Sequence, residues 1–423
     1  MEKLLSVVKD GQNQRIMFPP EELQIISFVL DYARAKHGNQ RRRNGKPYIV
    51  HPIAVAKTLV EYKADYISIC AGLLHDVVEE QVDAYQENNP TVSDEKLSSL
   101  EGKLFITLQE DILSNFAHTV VEPPLLPMGK GHMSCDIVKE CVLQFSDLRN
   151  SYKERTIDDM GNALYVQLKK PREIRKGRAE IMQEMERLME RKERQLEREV
   201  PSKAKRRLRE KYGFGQEEND ALDRVVHYTY DLCVIVDIVK LLTREKGIFY
   251  FNSIENMLLE EDEEKKKHTL LVKMADILDN IRDMQKVGVH TNSMRLYRCF
   301  KNMFVLNCIK NYFVLAGMKH EEPPYKLLSE TCRMTRSTLC NITNSLRCTE
   351  VLKQIKGKEE EAFNNRIKEY FYCMHGHKDV LEKTHNDPAK QYLDAVLFTP
   401  VIEKLAMDDR YVNSGLLSTF RKD

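Results

Sequence analysis

The sequence predicts an all-α protein, and three observations lead there. Gly and Pro are sparse, 17 and 14 of 423 residues. No series of short segments with alternating polarity and turn residues suggests a sheet. Apolar residues recur instead at helical spacing. Pro19-Pro20 followed by Glu21-Glu22 marks the first helix, because Pro fits the first turn and acids favour its dipole. Leu23, Ile26, Val29, Leu30 and Ala33 then form one apolar face. A polar, basic loop follows from Gly38 to Tyr48, then a second helix from about Pro52 to Tyr62. A third, continuous helix is expected from about Tyr66 to Glu80.

The character changes after about Asp83. Glu87-Asn88-Asn89-Pro90 and Glu122-Pro123-Pro124 break the chain, and Arg172–Glu199 reads as an almost unbroken charged helix. Beyond Pro201 a shorter basic helix runs to Gly213. From about Asp220 the buried pattern returns in DRVVHYTYDLCVIVDIVKLLT, with helices expected near Ile254–Leu259 and Lys267–Lys286. The expected organisation is an N-terminal extension (1–20), a first core part (21–84), a long, mainly helical insertion (85–219), a second core part (220–290) and a helical C-terminal region (291–423).

Bulk properties exclude several function classes. Lys+Arg 66 against Asp+Glu 65 leaves a net charge of +1, so a global polyanion-binding surface is not expected. Residues 172–211 carry a local basic excess, but aromatic interleaving is absent between Tyr165 and Tyr212, which argues against a nucleic-acid groove. A solvated helix docked by Ile181, Met185, Leu188 and Met189 is the favoured reading there. No run approaches the ~18 apolar residues of a membrane span, and the N-terminus does not read as a signal peptide. The 10 cysteines form no C-x-x-C pair. A soluble, cytoplasmic protein with reduced cysteines is expected. Cys373, His375, His377 and His385 cluster without a strong zinc spacing and are read as loop residues.

Chemistry concentrates in three segments. In AGLLHDVVEE, His75 and Asp76 are adjacent among apolar neighbours, with Glu79 and Glu80 about one turn on. Imidazole plus carboxylate suits a divalent ion, and the further acids could orient a water. A solvated helix end is the alternative, although placing His and Asp beside a core is costly without partners. In KPYIVHPIAVA, His51 precedes Pro52 and, taken alone, reads more readily as a capped helix start than as a ligand. In LLVKMADILDNIRDM, Asp276 lies among apolar residues, with Asn280 one turn later on the same face. There the alternative is a buried partner for a Lys or Arg.

In that order, HGNQRRRNGKPYIVHP, GLLHDVVEE, VDIVKLLTREKG and VKMADILDNIRDM resemble the HD superfamily, and within it the hydrolase domain of the RelA/SpoT type. The likeness covers roughly Leu23–Glu80 and Asp220–Gln285. It implies an HD-domain helical core and a metal site of His51, His75, Asp76 and Asp276, with Mn²⁺ the usual ion. Glu79 and Glu80 fall where the family has a Glu-Asp pair that positions the attacking water, so Glu80 is one methylene longer than the pattern. Arg42 and Asn280 fall on nucleotide contacts. The implied activity is metal-dependent hydrolysis of a nucleotide pyrophosphate or phosphoester, with (p)ppGpp-like alarmones the first candidate. A nucleotide sensor with little turnover, or an HD phosphohydrolase of another nucleotide, are the alternatives. Homo-oligomerisation through the insertion or the C-terminal helices is left open.

Overall fold

The computed structural model describes residues 18–42, 45–119, isolated positions between 140 and 145, and 199–213, 216–244, 250–285 and 292–346. Among them the fold is all-α, with one isolated bridge between Arg41 and Pro47 and no strand. The expected charged helix at 172–198, most of the C-terminal region and the His375–His385 cluster lie outside the described residues. No described helix is long and apolar enough to cross a membrane.

Two compact units divide the chain. One comprises 1–107 and 235–423, the other 108–234. The first is built from α1 (Pro20–His37), α2 (Val50–Glu61), α3 (Tyr66–Leu74) and α4 (Val77–Asn88). The start of α5 (Asp94–Thr119) and the end of α6 (Gln216–Leu242) belong to it as well. So do α7 (Tyr250–Leu259), α8 (Glu263–Met284), α9 (Asn292–Leu315) and α10 (Pro323–Leu346).

Local chemistry sets the boundaries of three core helices. Pro20 occupies the first turn of α1, Glu21 and Glu22 complement its dipole, and Gly38 (φ 47°) ends it by returning its N–H to the Arg34 carbonyl. Asp65 caps α3 by accepting from the Ser68 N–H at 2.9 Å. Asp262 caps α8 by accepting from Glu264 and Lys265.

Helix α3 is the centre of the unit, with every residue from Ile69 to Leu74 fully buried. It packs on α1, α2 and α8, and α8 packs in turn on α2, α9 and α10. Gly72 allows the close approach to α2, since a Cβ there would stand 2.7 Å from Leu59 Cδ1. Ordered this way, α2, α3 and α8 bring their polar residues to one place.

The expectation of one helix from Tyr66 to Glu80 is corrected. The chain turns at His75–Asp76, so α3 ends at Leu74 and α4 begins at Val77. His75 Nδ1 donates to the Gly72 carbonyl at 2.9 Å, the acceptor that the Asp76 N–H would use in a continuing helix. Leu73 and Leu74 before the turn and Val77 and Val78 after it are all buried.

The second unit has its own apolar core, with Ile112, Phe116, Phe145, Ala204, Leu208, Leu222 and Val225 buried. Lys205 and Arg209, on a helical segment at 199–212, both reach Asp223 at 3.1 Å.

Because α3 is buried at every residue but Ile67, truncating its core should outweigh uncapping it. Ile69→Ala is expected to cost ~2–5 kcal/mol, and Asp65→Ala about 1 kcal/mol. Urea denaturation of both variants checks the order.

Candidate metal centre

The site in the first unit is assembled from the loop before α2, the first turn of α2, the α3–α4 turn and the middle of α8. His51 enters on α2 and is 2% exposed, while His75 closes α3 and is 5% exposed. Asp276 sits on α8, whose apolar face holds Leu270, Leu271, Met274, Ala275 and Leu278 in the core. One donor atom each from His51, His75 and Asp276 lie within 4.8 Å of one another. Asp76 joins them: its Oδ1 is 3.2 Å from His75 Nε2 and its Oδ2 3.5 Å from His51 Nε2. Asp276 Oδ1 is 3.3 Å from His51 Nε2 and 3.9 Å from His75 Nε2. Donors at ~2.1 Å from a shared octahedral ion stand ~3–4.2 Å apart, so these spacings fit one cation.

Tautomers sharpen the fit. His75 Nδ1 donates to a carbonyl, which can only accept, so in the neutral ring Nε2 carries a lone pair. That atom is buried, has no hydrogen-bond partner, and faces carboxylate oxygens, which also only accept. Acceptors turned toward acceptors in a buried place call for a cation between them. His51 is oriented likewise, its Nδ1 donating to Asp279 Oδ2 at 2.6 Å so that Nε2 points into the cluster.

The electrostatics agree. Burial lowers the pKa of His51, but Asp276, Asp279 and Asp76 outweigh it and lift it to about 10. The pocket therefore favours positive charge at this point. Burial works against the ionised forms of Asp76 and Asp276 as well. Even so, both are held below the usual carboxylate value, Asp76 by His75 and His51, and Asp276, well below, by Lys273 and the same imidazoles. Lys273 Nζ is 3.0 Å from Asp276 Oδ2. The bland reading of Asp276 as a buried lysine partner thus holds together with its place in the cluster.

The other expected residues also come to the site. Glu79 and Glu80 lie in the first turn of α4. Burial, followed by repulsion from Asp76, raises Glu79 to about 7. Glu80 is raised to about 7 by burial and by Asp76, partly offset by a hydrogen bond from Tyr48. Arg42 reaches across to α8, donating to Asn280 Oδ1 at 3.0 Å and to Asp279 Oδ2 at 3.3 Å. Asn280 donates to Asp276 Oδ1. Of the neighbouring basic loop, Arg41 donates to the Gly45 carbonyl, and Arg43 lies outside the described residues.

Several participants were missed in the sequence. Asp279 binds both His51 and Arg42. Its place three residues after Asp276, on the same face, was the available signal. Tyr48, whose hydroxyl donates to Asp76 Oδ2 at 2.8 Å, was signalled only by its place at the end of the Gln40–Tyr48 pattern. Lys301 on α9 is pushed down to about 7 by burial and by the charges of Lys273, Arg298 and Arg244, while Asp276 acts in the opposite sense. A basic group thus stands near Asp276.

Residues 29–99 match the family model described as the HD domain. This segment is an HD domain. It carries His51, His75, Asp76, Glu79 and Glu80, while Asp276, Asp279 and Asn280 come from α8, beyond the match. The segment is similar to parts of proteins named as (p)ppGpp hydrolases. A Mycoplasma pneumoniae protein named "probable guanosine-3′,5′-bis(diphosphate) 3′-pyrophosphohydrolase" is 40% identical over 81 residues, 19% of this chain and 11% of that protein. The Aquifex aeolicus guanosine-3′,5′-bis(diphosphate) 3′-pyrophosphohydrolase is 36% identical over 83 residues, 20% of this chain and 12% of the relative. The bifunctional (p)ppGpp synthase/hydrolase SpoT of Escherichia coli K12 is 40% identical over 80 residues, 18% and 11% of the two chains. The chain thus spans about a tenth of the length of these relatives. No solved structure matches it.

Two outcomes are expected. Asp279→Asn should weaken divalent-ion binding by roughly 10- to 100-fold, because it relaxes the orientation of His51; calorimetric titration with Mn²⁺ reads this. The second concerns stability against pH. Glu79 has a folded-state pKa raised from 4.5 to about 7, so its stabilising contribution is full below about 4.5 and is lost as pH rises through about 7. Metal-free Glu79→Gln protein should therefore show a flatter fall of Tm between pH 5 and pH 8 than the parent, as thermal scans will show.

Proposed function

We propose that this protein is a metal-dependent phosphohydrolase that cleaves a nucleotide pyrophosphate or phosphoester, with (p)ppGpp-like alarmones as substrate and the 3′-side pyrophosphate as product. The observation that carries the reading is the convergence of donor atoms from His51, His75 and Asp276 within 4.8 Å of one another, with the Asp76 carboxylate beside both imidazoles, inside a domain similar to that of named (p)ppGpp hydrolases. In this reading His51, His75, Asp76 and Asp276 hold the ion, taken to be Mn²⁺. When bound, the ion would supply Lewis acidity and neutralise phosphate charge.

The chain's own groups divide the remaining work. Asp279 orients His51 through Nδ1, and the Gly72 carbonyl does the same for His75. Glu79 and Glu80 stand one turn beyond Asp76 and receive the proton of the attacking water. Their raised pKa values, about 7, suit general-base work near neutral pH. Arg42 and Asn280 contact the nucleotide. Arg42 is suited to this by its forked donors and by its reach from the basic loop to α8. Lys273 adds positive charge beside Asp276, where phosphate oxygens would lie.

We take 85–219 as an insertion between the two parts of the HD core and place the protein in the cytoplasm. The test is pyrophosphate and phosphate release from a nucleotide panel including ppGpp, using metal-stripped protein with Mn²⁺ restored. Mn²⁺-dependent turnover, reduced at least about 10³-fold in Asp76→Ala, is the expected outcome. Metal-dependent nucleotide binding without turnover would instead make the protein a sensor.

A further inference from the structure

We propose that His268 is a positioning residue for the metal centre: through its bond to Ser68 it fixes how far α8 lies along α3, and so holds Asp276 against His75. The inference rests on the metal-dependent function proposed above and deepens it by assigning a role to a residue outside the ligand and base set.

The N-terminal parts of the two helices meet in a buried polar contact. Ser68 is 0% exposed and His268 6%, and Ser68 Oγ stands 2.9 Å from His268 Nδ1. Asp65 Oδ2 is 3.4 Å from the same nitrogen. A carboxylate can only accept, so its presence favours the tautomer with the proton on Nδ1. His268 therefore donates to Ser68 Oγ, with the Asp65 carboxylate beside it. Asp65 is itself fixed, because its Oδ1 accepts the Ser68 N–H as the cap of α3. One side chain of α8 is thus gripped by the first turn of α3.

The same two helices meet again at the metal centre, where His75 Nε2 is 3.9 Å from Asp276 Oδ1. Ser68 and His75 are seven residues apart, His268 and Asp276 eight. At ~1.5 Å of rise per residue these intervals are ~10.5 and ~12 Å, so α3 and α8 run side by side in the same direction. Between the two contacts along the chain, Ile69, Cys70, Leu73, Leu271, Val272 and Ala275 are buried. Apolar burial presses the helices together but is non-directional. The His268–Ser68 bond adds a constraint that one register satisfies, since a slip would leave buried polar groups unpaired. A slip of one turn, ~5.4 Å, would also carry Asp276 away from His75. Further along α8, Asp279 is held by His51, and Arg282 donates to Thr58 Oγ1 at 3.3 Å. Both of those ties run to α2, whereas His268 supplies one to α3.

The test compares four variants of the full chain. His268→Phe keeps a ring without the donor, and His268→Asn returns an amide N–H near the place of Nδ1. Ser68→Ala removes the acceptor, and Ile69→Val, a one-methyl loss in the same helix, controls for stability. Calorimetric titration with Mn²⁺ reads the metal centre, and initial rates with ppGpp give kcat and KM. Mn²⁺ affinity is expected to fall about 10-fold in His268→Phe and in Ser68→Ala. In both, kcat should drop roughly 10- to 100-fold with KM within about threefold of the parent. His268→Asn should recover most of the affinity, and Ile69→Val should keep it while lowering Tm. Combining His268→Phe with Ser68→Ala should weaken binding no further than the weaker single variant, because both break one bond. Parental Mn²⁺ affinity in His268→Phe and Ser68→Ala, an equal loss in Ile69→Val, or losses that multiply in the double variant would overturn the proposal. Should His268→Phe not fold, Ser68→Ala and His268→Asn carry the same comparison. If the parent binds Mn²⁺ but hydrolyses no ppGpp, the alarmone activity fails and the Mn²⁺ affinities alone decide the role of His268. A parent that binds no Mn²⁺ overturns both.

Discussion

His51, with its side chain 3% exposed, is surrounded by the carboxylates of Asp76, Asp276 and Asp279, and that much negative charge inside a helical core must be balanced. Buried ionised carboxylates are tolerated only with partners. The unit supplies them from every side: Lys273 from α8 itself, Arg42 from the loop before α2, Tyr48 from the same loop, and the imidazoles from α2 and α3. The apolar packing of α3 against α1, α2 and α8 is what holds these groups in register. The polar cluster and the core are thus one construction, since a shift of α8 would separate Asp276 from both histidines.

Much of this was legible in the sequence, because the signals were local. The Pro20 start and Gly38 end of α1, the burial of Leu270 to Leu278 around Asp276, and the Asp276–Asn280 pairing at four residues all follow from helical spacing. His75 and Asp76 stood out because polar residues rarely sit unpartnered beside Leu73, Leu74, Val77 and Val78. The turn between α3 and α4 was not legible. It depends on a side-chain bond from His75 to the Gly72 carbonyl, and no periodicity records a competition of that kind. The bond from Tyr48 to Asp76 was hidden for a different reason: it joins residues 28 positions apart, which only the packed structure brings near.

The relatives clarify where the likeness stops. They align over about 80 residues, and the family match at 29–99 contains the first half of the site only. The second half rests on geometry: α8 supplies Asp276, Asp279 and Asn280, each bonded to a residue from the first half or to another of the three. Physical closure of the cluster, more than length of alignment, ties α8 to the matched segment.

The two halves are far apart along the chain, and this has a consequence for biosynthesis. The bond from His51 to Asp279 spans 228 residues, and that from Arg42 to Asn280 spans 238. At a synthesis rate of about 5–20 residues per second, His51 leaves the ribosome roughly 10–45 s before α8 exists to meet it. During that interval α1 to α4 lack the helix that covers α2 and α3 and completes the donor set. A nascent chain can therefore fold this core only late, and acquisition of a tightly held ion would mark the moment at which α8 has docked.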